Sequence, residues 1–258
     1  MPHCLNVYSL PTLVTPEELV GGTVVVIDVL RASTTIIHAL EAGAVEVIPC
    51  LEVEEARRIA ATLPRSQVVL GGERGGLRID GFDLGNSPLE YEPASVGGKT
   101  VVFTTTNGTR AMNQCRLAER VLIGAFVNAA AIVEQLAERS PISLVCAGSG
   151  GDITRDDVLF AGLLVDRLQR RSATPWQLNA QAITARENWL ASFAVPMAIG
   201  AEKLPPPLLA DQLRRSLAGQ KLVSIGLEDD LYAAAQLDRF PIVPVLDTKS
   251  FRIGPMDK

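Results

Sequence analysis

The chain has 258 residues, 47% of them hydrophobic, and a formal net charge of −5. That length suffices for one large domain or two small ones with a sizeable core, and the acidic balance argues against a nucleic-acid binder, which normally carries a basic stripe. No apolar run can span a bilayer and the N-terminus lacks the basic-then-apolar layout of a secretory signal, so no membrane partner and a cytoplasmic location are expected.

Helical and strand patterns alternate along the chain. Val24-Val25-Val26-Ile27 reads as a strand, Asp28 to Thr35 as a polar loop, and Ile36, Ile37 and Leu40 as one helix stopped near Gly43. Val45 to Ile48 is a further strand, 53–63 a helix and 67–70 a strand. Residues 71–96 break the pattern, as a functional or disordered insertion does. Regularity resumes with a strand through Val101, Val102 and Phe103, then a loop of hydroxyls, amide, glycine and arginine, then a helix near Ala111. Strands at 121–123 and 142–146 bracket a helix over 129–138, and a glycine-rich loop leads from Cys146 to Arg155 and a helix from Asp156. Thr174-Pro175-Trp176-Gln177 has the order of an N-cap, first-turn proline and capping-box residue, which predicts a helix over 174–193. Pro205-Pro206-Pro207 marks a rigid break before a helix at 208–217, and the prolines of 241–246 predict an edge strand.

These signals predict an α/β fold, with mixed or mostly parallel sheets flanked by helices, in one compact domain spanning 1–258. The threefold recurrence of strand, polar loop and helix is compatible with an internal duplication. In open α/β sheets ligands bind at the carboxyl ends of strands, so the three loops can converge on one site.

Loops of this kind offer free N–H groups, hydroxyls and helix starts to a tetrahedral oxyanion. The P-loop and dinucleotide fingerprints are absent. Cys146 precedes a glycine-rich loop, but Arg155 lies too far along for a cysteine phosphatase; Asp28 sits at a strand end, but Leu30 stands where a second acid would follow. His3 and His38 are poorly placed for acid–base work, and the scattered Cys4, Cys50, Cys115 and Cys146 read as reduced thiols. Carboxylates in or beside the loops, namely Asp28, Glu73, Asp83, Asp152, Asp156 and Asp157, then carry the chemistry, and oxygen ligands of that kind suit magnesium.

Structural alternatives stand beside these readings. Thr154, Asp156 and Asp157 can cap the helix they precede. One of Ser33, Thr34 and Thr35 can cap the first helix, leaving two hydroxyls to explain. Asn86-Ser87-Pro88 can be a plain turn. Arg31, Arg74 and Arg110 are ordinary surface residues individually, but in these loops they suit bidentate oxyanion contacts.

Val26 to Thr35, Gly71 to Arg74, Gly81 to Pro88, Thr104 to Arg110 and Cys146 to Asp157 together resemble the 2-phosphosulfolactate phosphatases, in the right order across most of the chain. The resemblance implies two similar, intertwined halves and a magnesium-dependent acid phosphatase. Such an enzyme converts 2-phospho-3-sulfolactate to sulfolactate and phosphate, a step in coenzyme M synthesis where that is made. Matching positions are Asp28, Arg31, Ser33, Thr34, Glu73, Asp83, Asn86, Ser87, Thr105, Thr106, Asn107, Gly108, Thr109 and Arg110. Catalytic roles are expected for Asp28, Arg31, Glu73 and Arg110. Substrate binding is expected for Ser33, Thr34, Arg74, Asn86, Ser87, Thr105, Thr106, Asn107, Gly108 and Thr109, and Mg2+ binding for Asp28, Glu73, Asp83 and Asp156. The expected partner is a small anionic phosphorylated substrate, with a homodimer left open. Metal-activated water and an aspartyl-phosphate are both open as routes, and the rival reading is a non-catalytic sensor of a phosphorylated acid.

Overall fold

A computed structural model describes residues 3–194 and 204–256. In chain order the elements are β1 (Cys4–Tyr8), β2 (Thr23–Ile27), α1 (Ala32–Glu41), β3 (Glu46–Cys50), α2 (Val53–Ala60), β4 (Val68–Arg74) and β5 (Leu77–Arg78). They continue with α3 (Pro93–Val96), β6 (Thr100–Thr104), α4 (Gly108–Gln114), β7 (Arg120–Gly124), α5 (Ala129–Leu136), β8 (Ile142–Cys146) and α6 (Arg155–Arg171). Then follow β9 (Gln177–Leu178), α7 (Ala180–Ser192), helices at Pro206–Arg214, Leu217–Ser224 and Asp229–Ala234, and the hairpin β10 (Pro244–Asp247) and β11 (Arg252–Pro255).

The α/β fold is as expected. One 11-stranded sheet has the order β5-β4-β6-β3-β11-β10-β7-β2-β8-β1-β9. Two parallel groups compose most of it, β4-β6-β3 and β7-β2-β8-β1-β9. The β10–β11 hairpin joins them, running antiparallel to β7 on one side and β3 on the other. The chain builds β1 and β2 in one group, crosses for β3, β4 and β6, and returns for β7, β8 and β9.

The uninterrupted apolar run of β2 is buried on both faces, as a central parallel strand must be. Its side chains alternate between two cores. Val25 and Ile27 pack with Ile132 and Leu136 of α5, Phe160 of α6 and Trp189 of α7. Val24 and Val26 pack with Ile36 and Leu40 of α1, Met112 of α4, and Val47, Val101 and Phe103 of the other strand group. The sheet therefore curls around α1 and α4, which brings the carboxyl ends of β2 and β6 together although their groups run in opposite directions. Ala56 and Ala60 of α2 cover the outer face of the smaller group, over Ile48, Val68 and Val102.

Four local expectations change. β4 runs on through Gly71, Gly72, Glu73 and Arg74, because Gly71 and Gly72 keep register with Phe103 and Thr104 of β6. Glycine reads as punctuation in the sequence, but the neighbouring strand holds it extended. The helix expected from 174 begins at Ala180: Gln177 and Leu178 pair with β1, and Asn179 caps the helix by accepting the Ala182 N–H. Asn179 also exchanges two hydrogen bonds with the backbone of Val7, at 3.1 and 2.8 Å, so its amide extends the ladder that the expected helix would have left open. The helix expected at 208–217 starts in the proline run itself, with Pro206 in its first turn, where a missing N–H is harmless. The strand predicted at an edge lies inside the sheet. Pro244 is the first residue of β10 and pairs only with Pro255 of β11, so no ladder bond to β7 is lost.

Candidate active site

Asp28 immediately follows β2. Its Oδ1 accepts the Ala32 N–H at 3.1 Å, its N–H donates to Ser33 Oγ at 3.0 Å, and its C=O accepts the Ser33 N–H at 2.8 Å. The turn is thereby closed on itself, which fixes the carboxylate. Its other oxygen, Oδ2, lies against Gly108 at the start of α4: a methyl group there would meet Asp28 Oδ2 at 2.8 Å and Ala32 Cβ at 2.7 Å. Glycine at 108 is required by close approach of the two loops, the one facing Asp28 and the other carrying Thr105 and Asn107.

Glu73, at the end of β4, anchors the same loop from the opposite side. Its Oε1 accepts the N–H and the hydroxyl of Thr106, each at 2.9 Å, and its Oε2 accepts the Gly76 N–H at 2.6 Å. Arg31 reaches across to Asp230 at 2.7 Å and to the Gly76 carbonyl at 2.7 Å, while the Ser87 hydroxyl donates to the other oxygen of Asp230 at 2.5 Å. From the third loop, Gly150 N–H donates to Asn107 Oδ1 at 3.1 Å, and the Asn107 amide nitrogen has no acceptor among the described residues. Asp157 ties the first and third loops together, accepting the Val29 N–H at 2.9 Å and the Gly148 N–H at 3.0 Å. The result is an open cleft lined by Asp28, Leu30, Arg31, Glu73, Gly76, Asn86, Thr105, Asn107, Ser149, Ala218, Lys221 and Leu222.

The electrostatics are those of acids crowded out of water. Burial, reinforced by the neighbouring Asp156 and Glu73, raises Asp28 to about 7 against the pull of the Ala32 N–H and Arg31. Burial likewise raises Asp156 to about 6. Asp157 is pushed well above the carboxylate range by burial and then by Asp156 and Asp28. Cys146 is also driven upward by burial, with Asp157 and Asp156 adding to it, which removes it as a thiolate nucleophile. Among the described residues, Asn86 Oδ1 is buried without a hydrogen-bond partner, while hydrogen bonding to the Asp156 carboxyl, from Ser216 among others, pulls against its rise.

A family model described as 2-phosphosulpholactate phosphatase matches residues 8–249. A protein of Symbiobacterium thermophilum named as a probable 2-phosphosulfolactate phosphatase is 40% identical over 230 residues, 89% of this chain and 93% of the relative. Relatives with the same name occur in Caldanaerobacter subterraneus subsp. tengcongensis, 36% identical over 94% of this chain and 95% of the relative, and in Parasynechococcus marenigrum, 38% identical over 89% and 90%. The chain belongs to the 2-phosphosulpholactate phosphatase family. It is thus a phosphoric monoester hydrolase, and the cleft at its converging strand ends is the candidate site of that hydrolysis.

Of the residues expected to serve this phosphatase, Asp28, Arg31, Glu73, Asn86, Thr105 and Asn107 share the cleft wall. Others stand behind it. Ser33 and Thr34 are fully buried, with hydroxyls donating to the carbonyls of Val26 and Val29. Thr106 is held by Glu73, Thr109 packs its hydroxyl 3.5 Å from that of Thr105, Gly108 provides clearance, and Ser87 holds Asp230. Arg74 bonds the Glu73 and Leu51 carbonyls and the Thr104 hydroxyl, bracing strand ends. Asp83 accepts from Arg65 and from the Leu70 N–H, pinning the 71–96 segment to β4 outside the cleft lining. Arg110 is exposed and does not line the cleft. Asp156 is buried among the acids, and Asp157 is a loop tie instead of a cap. Sequence reasoning missed Lys221 and Asp230, which arrive from C-terminal helices and have no local motif around them.

Proposed function

We propose that the protein hydrolyses 2-phospho-3-sulfolactate to sulfolactate and inorganic phosphate, and that it requires magnesium. The observation that carries this reading is the acidic cleft wall, where Asp28 and Glu73 line the space that would receive an anionic substrate and Asp156 lies buried close to Asp28. A substrate with phosphate, carboxylate and sulfonate groups is repelled there unless a cation intervenes. Oxygen acceptors of the cleft lining fit a hard cation: Asp28 Oδ2 and the amide oxygen of Asn86, which has no hydrogen-bond partner among the described residues. Among the described residues no three His, Cys, Asp or Glu side chains form a ready cage. That accords with magnesium, which commonly takes one or two carboxylates and completes its shell with water and phosphate oxygens. When bound, the ion would neutralise phosphoryl charge and orient an attacking oxygen.

The chain's own groups do the rest. Thr105, Asn107 and Ser149 offer hydroxyl and amide donors to the phosphoryl oxygens. Asp28 is held rigid by three contacts within its own turn, so its free oxygen needs no reorganisation on binding. Arg31, bonded to Asp230 and the Gly76 carbonyl, positions the Gly76 turn and adds charge to the wall.

The test is phosphate release from a panel of phospho-hydroxy acids, with magnesium and with excess chelator. Release should be fastest for 2-phospho-3-sulfolactate and should vanish on chelation. Full turnover in chelator would remove the metal from the reading, and a ligand retained unchanged in magnesium would identify a sensor.

A further inference from the structure

We propose that Lys221 is a specificity-determining residue that binds the sulfonate of the substrate, an inference that rests on the reading just given. The helix Leu217–Ser224 forms the cleft wall nearest the Gly76 turn, contributing Ala218, Lys221 and Leu222. The other basic lining residue, Arg31, has its charge paired with Asp230 in a buried salt bridge and also donates to the Gly76 carbonyl. The Lys221 ammonium makes no hydrogen bond or ion pair among the described residues, its carbonyl alone accepting from Ser224 and Ile225, and it is the remaining basic residue of the lining.

Its stem lies beside a glycine turn. Gly76 has φ +91, and a Cβ built on it would lie 3.3 Å from Lys221 Cε and 3.8 Å from its Nζ, so the lysine stem runs over a bare backbone turn. That turn is rigid, its N–H bound by Glu73 and its carbonyl by Arg31. Glu73 meanwhile holds Thr106 with its other oxygen. Lys221 therefore sits across Glu73 from the Thr105–Asn107 loop, and a phosphoryl group at that loop and Asp28 leaves the ammonium to another part of the substrate. In 2-phospho-3-sulfolactate the sulfonate sulfur is one carbon farther from the ester-bearing carbon than the carboxylate carbon. It is the group that reaches farthest. A tetrahedral sulfonate with three equivalent oxygens also suits a compact ammonium, whereas a planar carboxylate favours the fork of arginine.

The experiment compares wild type with Lys221→Ala, Lys221→Gln and Lys221→Arg. Measured quantities are kcat and KM for 2-phospho-3-sulfolactate in magnesium, and inhibition constants for 3-sulfolactate and for inorganic phosphate. Lys221→Ala and Lys221→Gln should raise KM and the sulfolactate constant about tenfold or more, with kcat and the phosphate constant changed less than threefold. Lys221→Arg should recover part of the loss. The lysine is exposed, so melting temperatures should match and folding does not confound the comparison. An unchanged KM overturns the proposal, and so does a phosphate constant that rises as far as the sulfolactate constant, which would assign Lys221 to the phosphoryl group. If the wild type releases no phosphate from this substrate, the substrate reading itself fails and the sulfonate role falls with it.

Discussion

Past β2, in the first turn of α1, the chain places Ser33, Thr34 and Thr35 in a row; from the last residue of β6 it places Thr104, Thr105 and Thr106 in a row, followed by Asn107, Gly108 and Thr109. In the first row, on the opening turn of α1, all three hydroxyls are fully buried and donate to the carbonyls of Val26, Val29 and Asn86. In the second, Thr104 and Thr106 engage Arg74 and Glu73, while Thr105 and Asn107 reach the cleft wall. A dense run of hydroxyls thus marks a sharp turn whose backbone groups need partners. Depth decides which hydroxyls are left for a ligand. The first loop makes a rigid mount for one carboxylate, and the second presents donors to the space in front of it.

The largest effect expected is at that mount. Asp28→Asn keeps the local hydrogen bonds but removes the charge, and turnover should fall on the order of 10³-fold, within the usual range for loss of a group at the reacting centre. Stability should move the other way. Asp28 rises from 3.8 to about 7 on folding, so its contribution is fully present below about pH 4 and is lost as pH rises through about 7. In chelator the wild type should therefore melt progressively earlier between those values, and Asp28→Asn should flatten that slope. A variant with normal turnover would take Asp28 out of the site.

Gly108→Ala tests whether the two loops must touch. The added methyl meets Asp28 Oδ2 and Ala32 Cβ inside normal contact distance, so the loops have to separate by a few tenths of an ångström. A kcat/KM loss on the order of 10²-fold is expected, with a stability cost of about 1–3 kcal/mol. Unchanged kinetics would show that the mount and the donor loop work independently.

The contrast between the loops sharpens in a paired substitution. Ser33→Ala strands the buried Asp28 N–H and should cost about 1–3 kcal/mol of stability. Thr105→Val should leave the melting temperature nearly unchanged and lower kcat/KM about tenfold. If the two variants lose the same property, the division of labour is wrong. Arg110→Lys should do least of all, within twofold in kcat/KM and within about 0.5 kcal/mol in stability, because its side chain is exposed away from the cleft.

Arg110 also shows where sequence reasoning reaches its limit. Adjacency to a hydroxyl-rich loop does not say which way a helix turns, and α4 buries Thr109, Ala111 and Met112 while facing Arg110 to solvent. What was legible were the buried strands, whose unbroken apolar runs have one physical explanation, and Asp28, because a charge directly after such a run has to sit at a sheet end. The extension of β4 through two glycines was hidden, since it depends on register with β6. Asp230 was out of reach altogether: it meets Arg31 from 199 residues away, and only the folded chain sets that distance to zero.

The β10–β11 hairpin has a consequence for how the molecule comes into being. Its strands follow all the others in the chain, yet they are the ones that join β7 to β3. A ribosome emitting this protein releases both parallel groups before the seam between them exists, and each waits with an open flank capable of pairing with a neighbouring chain. The seam is closed where Val245 and Leu246 pair with Leu122 and Val121, and Ile253 with Val47. Synthesis thus leaves the polypeptide most exposed to association with its neighbours just before the seam closes.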